Sequence, residues 1–182
     1  MNNPRFYVIT GASGAGKSTL LKALGDLGYS VVPEVALTLV QEQEQCGGDL
    51  FPWTDLQAFM EEVVVRNVQA YDAAQALPPP VFFDRAIPEC LGHMRLLGLE
   101  LKAAHEAASG QRRYANTVFV AEPWPEIYVC DRWRRAPFDR AARSFEPTVA
   151  AYTEAGYDTC VVPRVPVEER VAFVLRQLEA GA

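Results

Sequence analysis

An α/β architecture, a five-stranded parallel sheet with helices on both faces, is predicted by three features of this 182-residue sequence. Short apolar runs recur at Phe6–Ile9, Tyr29–Pro33, Val81–Phe83, Thr117–Ala121 and Tyr157–Val162. They are near-continuous rather than alternating, as strands covered on both faces are. Stretches with helical apolar spacing separate them, the order that builds parallel sheets. The first run also leads straight into a glycine-rich turn and then a helix.

That turn, Gly11-Ala12-Ser13-Gly14-Ala15-Gly16-Lys17-Ser18-Thr19, fits G-x-x-x-x-G-K-[ST], the phosphate-binding P-loop. Glycines let backbone N–H groups converge on phosphate oxygens, and the following helix adds the partial positive charge of its N-terminus. Lys17 can reach the β- and γ-phosphates, and the Ser18 hydroxyl can sit on Mg²⁺. Residues Gly11, Ser13, Gly14, Ala15, Gly16, Lys17, Ser18 and Thr19 are therefore the expected site for a nucleoside triphosphate, and the fold is expected to be that of a P-loop NTPase.

The helix after the loop places Leu20, Leu21, Leu24 and Leu27 on one face and stops at Gly28, a suitable residue just past a helix end. After the second strand, Val35 to Gln45 reads as a helix broken by Cys46-Gly47-Gly48-Asp49. Thr54 and Gln57 suggest a capping box opening a long helix with Leu56, Phe59, Met60, Val63, Val64, Val68 and Tyr71 on its apolar face. Pro78-Pro79-Pro80 leads stiffly into the third strand. Helices are then expected from about Pro88 to Leu97 and from Leu99 to Ala108. Beyond the fourth strand a single helix is expected over Phe138–Ala155, started or kinked by Pro147. The final helix begins near Pro166 and lines up Val167, Val171, Val174, Leu175 and Leu178. The whole of 1–182 is expected to be one domain, with a lid at 131–146.

Composition excludes several classes. Hydrophobic residues make up 49% and charged residues 22%, enough for a sizeable core. A net charge of −6 argues against broad nucleic-acid binding. Cys46, Cys90, Cys130 and Cys160 are dispersed and His93 and His105 isolated, so neither a zinc site nor a disulfide framework is indicated, and Cys90 and Cys160 read as core thiols. His93 reads as helix surface or core edge. The chain enters a strand almost at once and has no stretch of membrane-spanning length, so a signal peptide and integral membrane association are not expected and a cytoplasmic setting is.

In parallel sheets ligands sit at the C-terminal strand ends, which gathers the P-loop, Glu34, Asp84-Arg85 and Glu122 on one rim. Asp84 ends an apolar strand and could hold Mg²⁺ directly or through water. Arg85 stands where large hydrolytic ATPases would place a second acid. Glu34 could act as general base on an acceptor hydroxyl, or could simply be an acid at a helix N-terminus. Arg132, Arg134, Arg135, Arg140 and Arg143 crowd one segment. Lid arginines can stabilise a transferring phosphoryl group, with Arg132 and Arg135 the leading candidates, although Asp131, Asp139 and Glu146 also allow a solvated, ion-paired face. Trp53, Trp124 and Trp133 lie in loops and could border an acceptor or simply pack.

With Gly11–Thr19, Val31–Ala36, Phe82–Pro88, Ala121–Tyr128, Asp131–Phe138 and Pro163–Leu178 in this order, the chain resembles a family. It is similar to the small AAA-domain NTPases typified by the nicotinamide riboside kinase domain of the bacterial NAD-biosynthesis regulator. The Pro33-Glu34 and Asp84-Arg85 pairs also resemble those of deoxynucleoside and thymidylate kinases. The resemblance implies a kinase-like P-loop fold with ATP and Mg²⁺ as ligands. It does not carry over an acceptor, since members differ in what they phosphorylate or bind. Function is thus expected to be phosphoryl transfer from ATP to a small hydroxyl-bearing molecule, a nucleoside-like one among the candidates, with Lys17, Glu34, Asp84, Arg85, Arg132 and Arg135 as catalytic residues and Ser18 and Asp84 as metal ligands. The alternatives are an ATP- or GTP-binding switch or slow hydrolase acting on a protein or membrane partner, and a toxin or antibiotic-modifying kinase.

Overall fold

A computed structural model of the chain describes residues 3, 5–129 and 137–180. Five strands, β1 (Phe6–Gly11), β2 (Ser30–Val32), β3 (Val81–Asp84), β4 (Thr117–Ala121) and β5 (Asp158–Val162), form one sheet in the order β2-β3-β1-β4-β5. Every pairing is parallel, with Ile9 in register with Asp84 on one side and with Phe119 on the other. The chain steps from central β1 outward to β2, returns through β3, then crosses to β4 and β5. The C-terminal ends of β1, β3 and β4 therefore meet where the winding reverses, the position at which such sheets bind ligands.

Alternation along the strands divides the core. Phe6, Val8, Val81, Phe83, Val118 and Val120 point to one face, under Tyr71, Tyr114, Tyr152 and Tyr157. Ile9, Phe82, Phe119 and Val162 point to the other. There they meet Leu20, Leu21 and Leu24 of α1 (Lys17–Asp26) and Val171 and Val174 of α8 (Val167–Ala180). Each such side chain removed from water contributes about 1.5–3 kcal/mol. A third cluster lies off the sheet, among α2 (Val35–Cys46), α3 (Leu56–Ala74) and α4 (Ile87–Leu96). Leu39, Phe59, Met60, Val63, Ile87 and Met94 belong to it, and Phe59, Met60 and Val63 also line the cavity described below.

Three local expectations are corrected. The cap of α3 is Asp55, whose carboxylate accepts from the Ala58 N–H at 3.0 Å, rather than Thr54. Thr54 is used in the preceding turn, its N–H bonding the Phe51 carbonyl. Gln57 instead bonds the backbone of Glu100 at 3.1 and 2.9 Å, tying down a distant loop. Helix α5 covers Ala103–Gln111 and does not start at Leu99. Gly98, at φ 66°, ends α4, and Leu99 and Leu101 pack alternately against the third cluster, a period of two that an extended segment satisfies. The expected single helix after β4 is two, α6 (Phe138–Ala142) and α7 (Phe145–Glu154). The Ser144 hydroxyl bonds the Ala141 carbonyl at the break, and Pro147 falls in the first turn of α7, where no N–H is needed.

Helices α4 and α7 cross at Gly92, where an added Cβ would sit 2.3 Å from the Cβ of Ala151. Overpacking of this kind costs about 1–3 kcal/mol, more than the ~0.5–1 kcal/mol a helix gains when Gly becomes Ala. Gly92→Ala is therefore expected to lower stability by about 1–2 kcal/mol in urea unfolding. A neutral or stabilising effect would contradict the close crossing.

Candidate functional site

The P-loop is built around backbone conformations that side chains resist. Gly11 has φ 123°, and a Cβ there would lie 2.1 Å from the Ala121 carbonyl oxygen at the end of β4. That close approach is locked by the Ala12 N–H bonding the same oxygen at 3.0 Å. Gly16, at φ 76°, caps α1 in the left-handed region. Lys17 is buried, its ammonium donating to the carbonyls of Gly11 at 3.1 Å and Ala12 at 2.7 Å. Ser18 and Thr19 are exposed in the first turn of α1.

Arg170 of α8, which the sequence reading did not single out, braces this loop. It is 3% exposed, donates to the carbonyls of Ala15 and Gly16 at 3.2 Å each, and lies 5.7 Å from the ring of Trp124. A charged residue within the apolar stripe Val167, Val171, Val174 was the available signal.

Opposite the loop, β3 ends in Asp84 and Arg85. Arg85 adopts φ 67°, unusual for a residue with a side chain and costing about 1–2 kcal/mol. Its Nε pairs with Glu34 at 3.2 Å, and its Nη1 pairs with Glu89, one turn along in α4. Glu89 is buried and also accepts from the hydroxyls of Thr10 and, at 3.3 Å, Tyr152. Glu34 makes no side-chain cap to α2, so its carboxylate serves Arg85 rather than the helix end. Burial would lower the Arg85 guanidinium, but Glu89, Glu34 and Asp84 outweigh it and hold it above its usual range. Glu89, Thr10 and Tyr152 were missed in the sequence because none sits in a recognisable motif position. Glu122 directly follows the C-terminal end of β4 and pairs with Arg164 at 3.4 Å.

Burial pushes the Asp84 carboxyl up to about 6, Glu34 adding to the rise while Lys17 and Arg85 oppose it. Burial likewise lowers Lys17 to about 8, aided by Arg85. Asp84 Oδ1 is buried without a hydrogen-bond partner. An orphaned carboxylate oxygen beside a phosphate loop, with the Ser18 hydroxyl exposed nearby in sequence, suits a hard divalent cation. Among the described residues no group of three or more His, Cys, Asp or Glu could cage a metal alone. Such an ion would take its remaining ligands from phosphate and water, the usual habit of Mg²⁺.

A cavity of about 310 Å³ opens beside Glu34, Arg85 and Glu89. Leu56, Phe59, Met60, Val63 and Cys90 line it, with Leu96, His93 and Pro147 also contributing. His93 is an exposed residue of α4, as expected of helix surface or core edge, and it also borders this cavity. The Cys90 thiol is buried and pushed up to about 12, and Cys160 is only half-buried, packing at the edge of the sheet core. Trp53 is 70% exposed and stacks on Phe51 at 4.8 Å. Arg132, Arg134, Arg135, Trp133, Asp131 and Cys130 lie outside the described residues, while Arg140 and Arg143 are exposed. Among the described residues no helix is long and apolar enough to cross a membrane.

A family model described as an AAA domain matches residues 6–170. A nucleotide-binding protein of Acidiphilium cryptum is 30% identical over 89 residues, covering 48% of this chain and 29% of that protein. The phosphonates import ATP-binding protein PhnC 1 of Trichodesmium erythraeum is 26% identical over 144 residues, 72% of this chain and 57% of that one. The chain thus spans well under two thirds of these relatives. Among solved structures, deoxyadenosine kinase from M. mycoides, with dCMP and dCDP bound, superposes with TM-score 0.66 at 16% identity, covering 96% of this chain and 99% of the other. Shikimate kinase from Acinetobacter baumannii, bound to shikimate, gives 0.59 at 13% identity with 97% and 93% covered. NadR in complex with NR gives 0.70 at 14% identity, covering 97% of this chain and 51% of NadR. At these identities the structures speak to fold alone. The chain belongs to the AAA-domain family, and its fold is that of the small P-loop kinases.

Without nucleotide, the ionised Asp84 is a penalty. Its folded pKa lies above the ordinary carboxylate value of 3.8, so wild-type stability falls as pH rises from about 4 to about 6. Asp84→Asn is expected to remove that fall. In urea unfolding the variant should gain about 1–3 kcal/mol on wild type at pH 7.5 and little below pH 4. A pH-independent difference would refute the assignment.

Proposed function

We propose that this member of the AAA-domain family is an ATP-binding, Mg²⁺-dependent phosphotransferase that acts on a small hydroxyl-bearing molecule. The observation that carries the reading is the cavity whose wall includes Glu34 and Arg85, next to Asp84 and across from the P-loop. An ATP- or GTP-binding switch or slow hydrolase, the other reading, has no use for such a compartment.

In this account the amides of Gly11, Ser13, Gly14, Ala15 and Gly16, with Lys17 and Thr19, hold the phosphates, and Ser18 and Asp84 would hold the metal. Bound there, Mg²⁺ would neutralise charge on the β- and γ-phosphates. The carboxylate of Glu34 takes the proton of the acceptor hydroxyl as that oxygen bonds the γ-phosphorus. The bond from γ-phosphorus to the bridging oxygen breaks, and ADP leaves with its electron pair. Glu34 suits the base role better than Asp84 because it lines the cavity and Asp84 does not. Arg85, held from both sides, orients Glu34. Arg132 and Arg135 of the 131–146 lid are assigned to the transferring phosphoryl group. The partners are a nucleoside triphosphate and a small molecule, in a cytoplasmic setting where ATP is abundant.

Two variants separate these roles. Lys17→Ala should abolish productive ATP use while leaving the circular-dichroism spectrum intact. Glu34→Gln should reduce transfer by roughly 10²–10⁴-fold, the usual range for a general base, with ATP-analogue affinity changed less than about threefold. Equal losses of transfer and ATP affinity in Glu34→Gln would remove the base role.

A further inference from the structure

The charges around the cavity restrict what it can accept, an inference that rests on the phosphotransferase reading. Arg85 is the one Lys or Arg among the described lining residues, and both sides of its guanidinium are already taken, by Glu34 and Glu89. Glu89 is fixed further by Thr10 and Tyr152, so it is not free to swing away. His93 at the mouth supplies no standing positive charge, because desolvation holds it below the ordinary imidazole range despite Glu89. Among the described residues the wall therefore presents two carboxylates against one committed guanidinium. A carboxylate or phosphate entering here would break an existing ion pair and meet net negative charge at close range, where repulsion is strongest.

Apart from His93, Ser144 and Thr148, the remainder of the lining is apolar. Leu56, Phe59, Met60 and Val63 form a continuous floor, and apolar surface extends to the rim at Leu96, 60% exposed, and at Pro52, next to Trp53. Exposed large side chains at a cavity mouth mark a surface that a ligand covers. We infer that the acceptor is an alcohol with an apolar body and no anionic group, its hydroxyl directed to Glu34 and its body lying along Leu56, Phe59, Met60 and Val63. Shikimate, a carboxylate, and nucleoside monophosphates fall outside this class, whereas an uncharged nucleoside or another neutral or cationic ring-bearing alcohol falls inside it.

A matched trio tests the charge rule: 4-methylbenzyl alcohol, 4-(aminomethyl)benzyl alcohol and 4-(hydroxymethyl)benzoate. Each is titrated into the full chain with Mg²⁺ and a non-hydrolysable ATP analogue and followed by protein-observed NMR. The neutral and cationic probes are expected to bind at least tenfold more tightly than the benzoate. Leu96→Lys, at an exposed position that tolerates substitution, should narrow the gap at least threefold by placing a cation at the mouth. Benzoate binding as tightly as the others, or no binding by any of the three, would overturn the inference. The ATP analogue is titrated separately: if it binds, such a result strikes the acceptor class alone, and if it does not, the phosphotransferase reading falls and the inference with it.

Discussion

The Arg85 guanidinium, clamped between Glu34 and Glu89, is the contact on which the rim depends. Through it the start of α2, the end of β3 and the first turn of α4 are held together, and through Glu89 the clamp reaches Thr10 on β1 and Tyr152 on α7. Taking these charges from water is expensive, and a well-packed apolar replacement is often as stable or more so. Arg85 also bears a left-handed backbone conformation. A costly ion pair on a strained residue is hard to explain by stability and easy to explain if Glu34 must be held at one point above the cavity.

A similar tension runs along the phosphate side. Lys17 and Asp84 both have their charged forms disfavoured by burial, one lowered to about 8 and the other raised to about 6. The protein keeps these groups in place with Arg170 behind the loop and with the tight seam between Gly11 and Ala121. A triphosphate and a divalent cation would satisfy both groups at once. The empty fold is thus expected to be less stable than its sequence would allow, and ligand binding to restore the difference.

The parts legible in the sequence were those governed by local rules. Continuous apolar runs marked the strands, because in β1, β3 and β4 burial on both faces removes alternation. The P-loop and the Asp84-Arg85 pair were legible because their chemistry fixes residue type at fixed spacing. Helix details failed where one local signal competed with another. Thr54 and Asp55 are both good caps, and the preceding turn decides between them. Leu99 and Leu101 fit a helix or an extended strip, and only the third cluster selects the latter. Glu89, one turn from Arg85, meets Thr10 and Tyr152 across 79 and 63 positions, and Arg170, marked in the sequence only by its place in an apolar stripe, meets the loop carbonyls 154 and 155 positions away. Strand order, which brings β1 between β3 and β4, is what creates those meetings.

The cavity beside Glu34 is proposed as the acceptor half of a kinase site. Phosphorus NMR of the protein with Mg²⁺, ATP and a mixture of neutral ring-bearing alcohols tests this directly. A kinase site gives a new phosphate-ester resonance that grows in step with ADP and is absent when the alcohols are withheld. Inorganic phosphate as the sole product, at a rate that no alcohol alters, would contradict it and mark the chain as a hydrolase or switch.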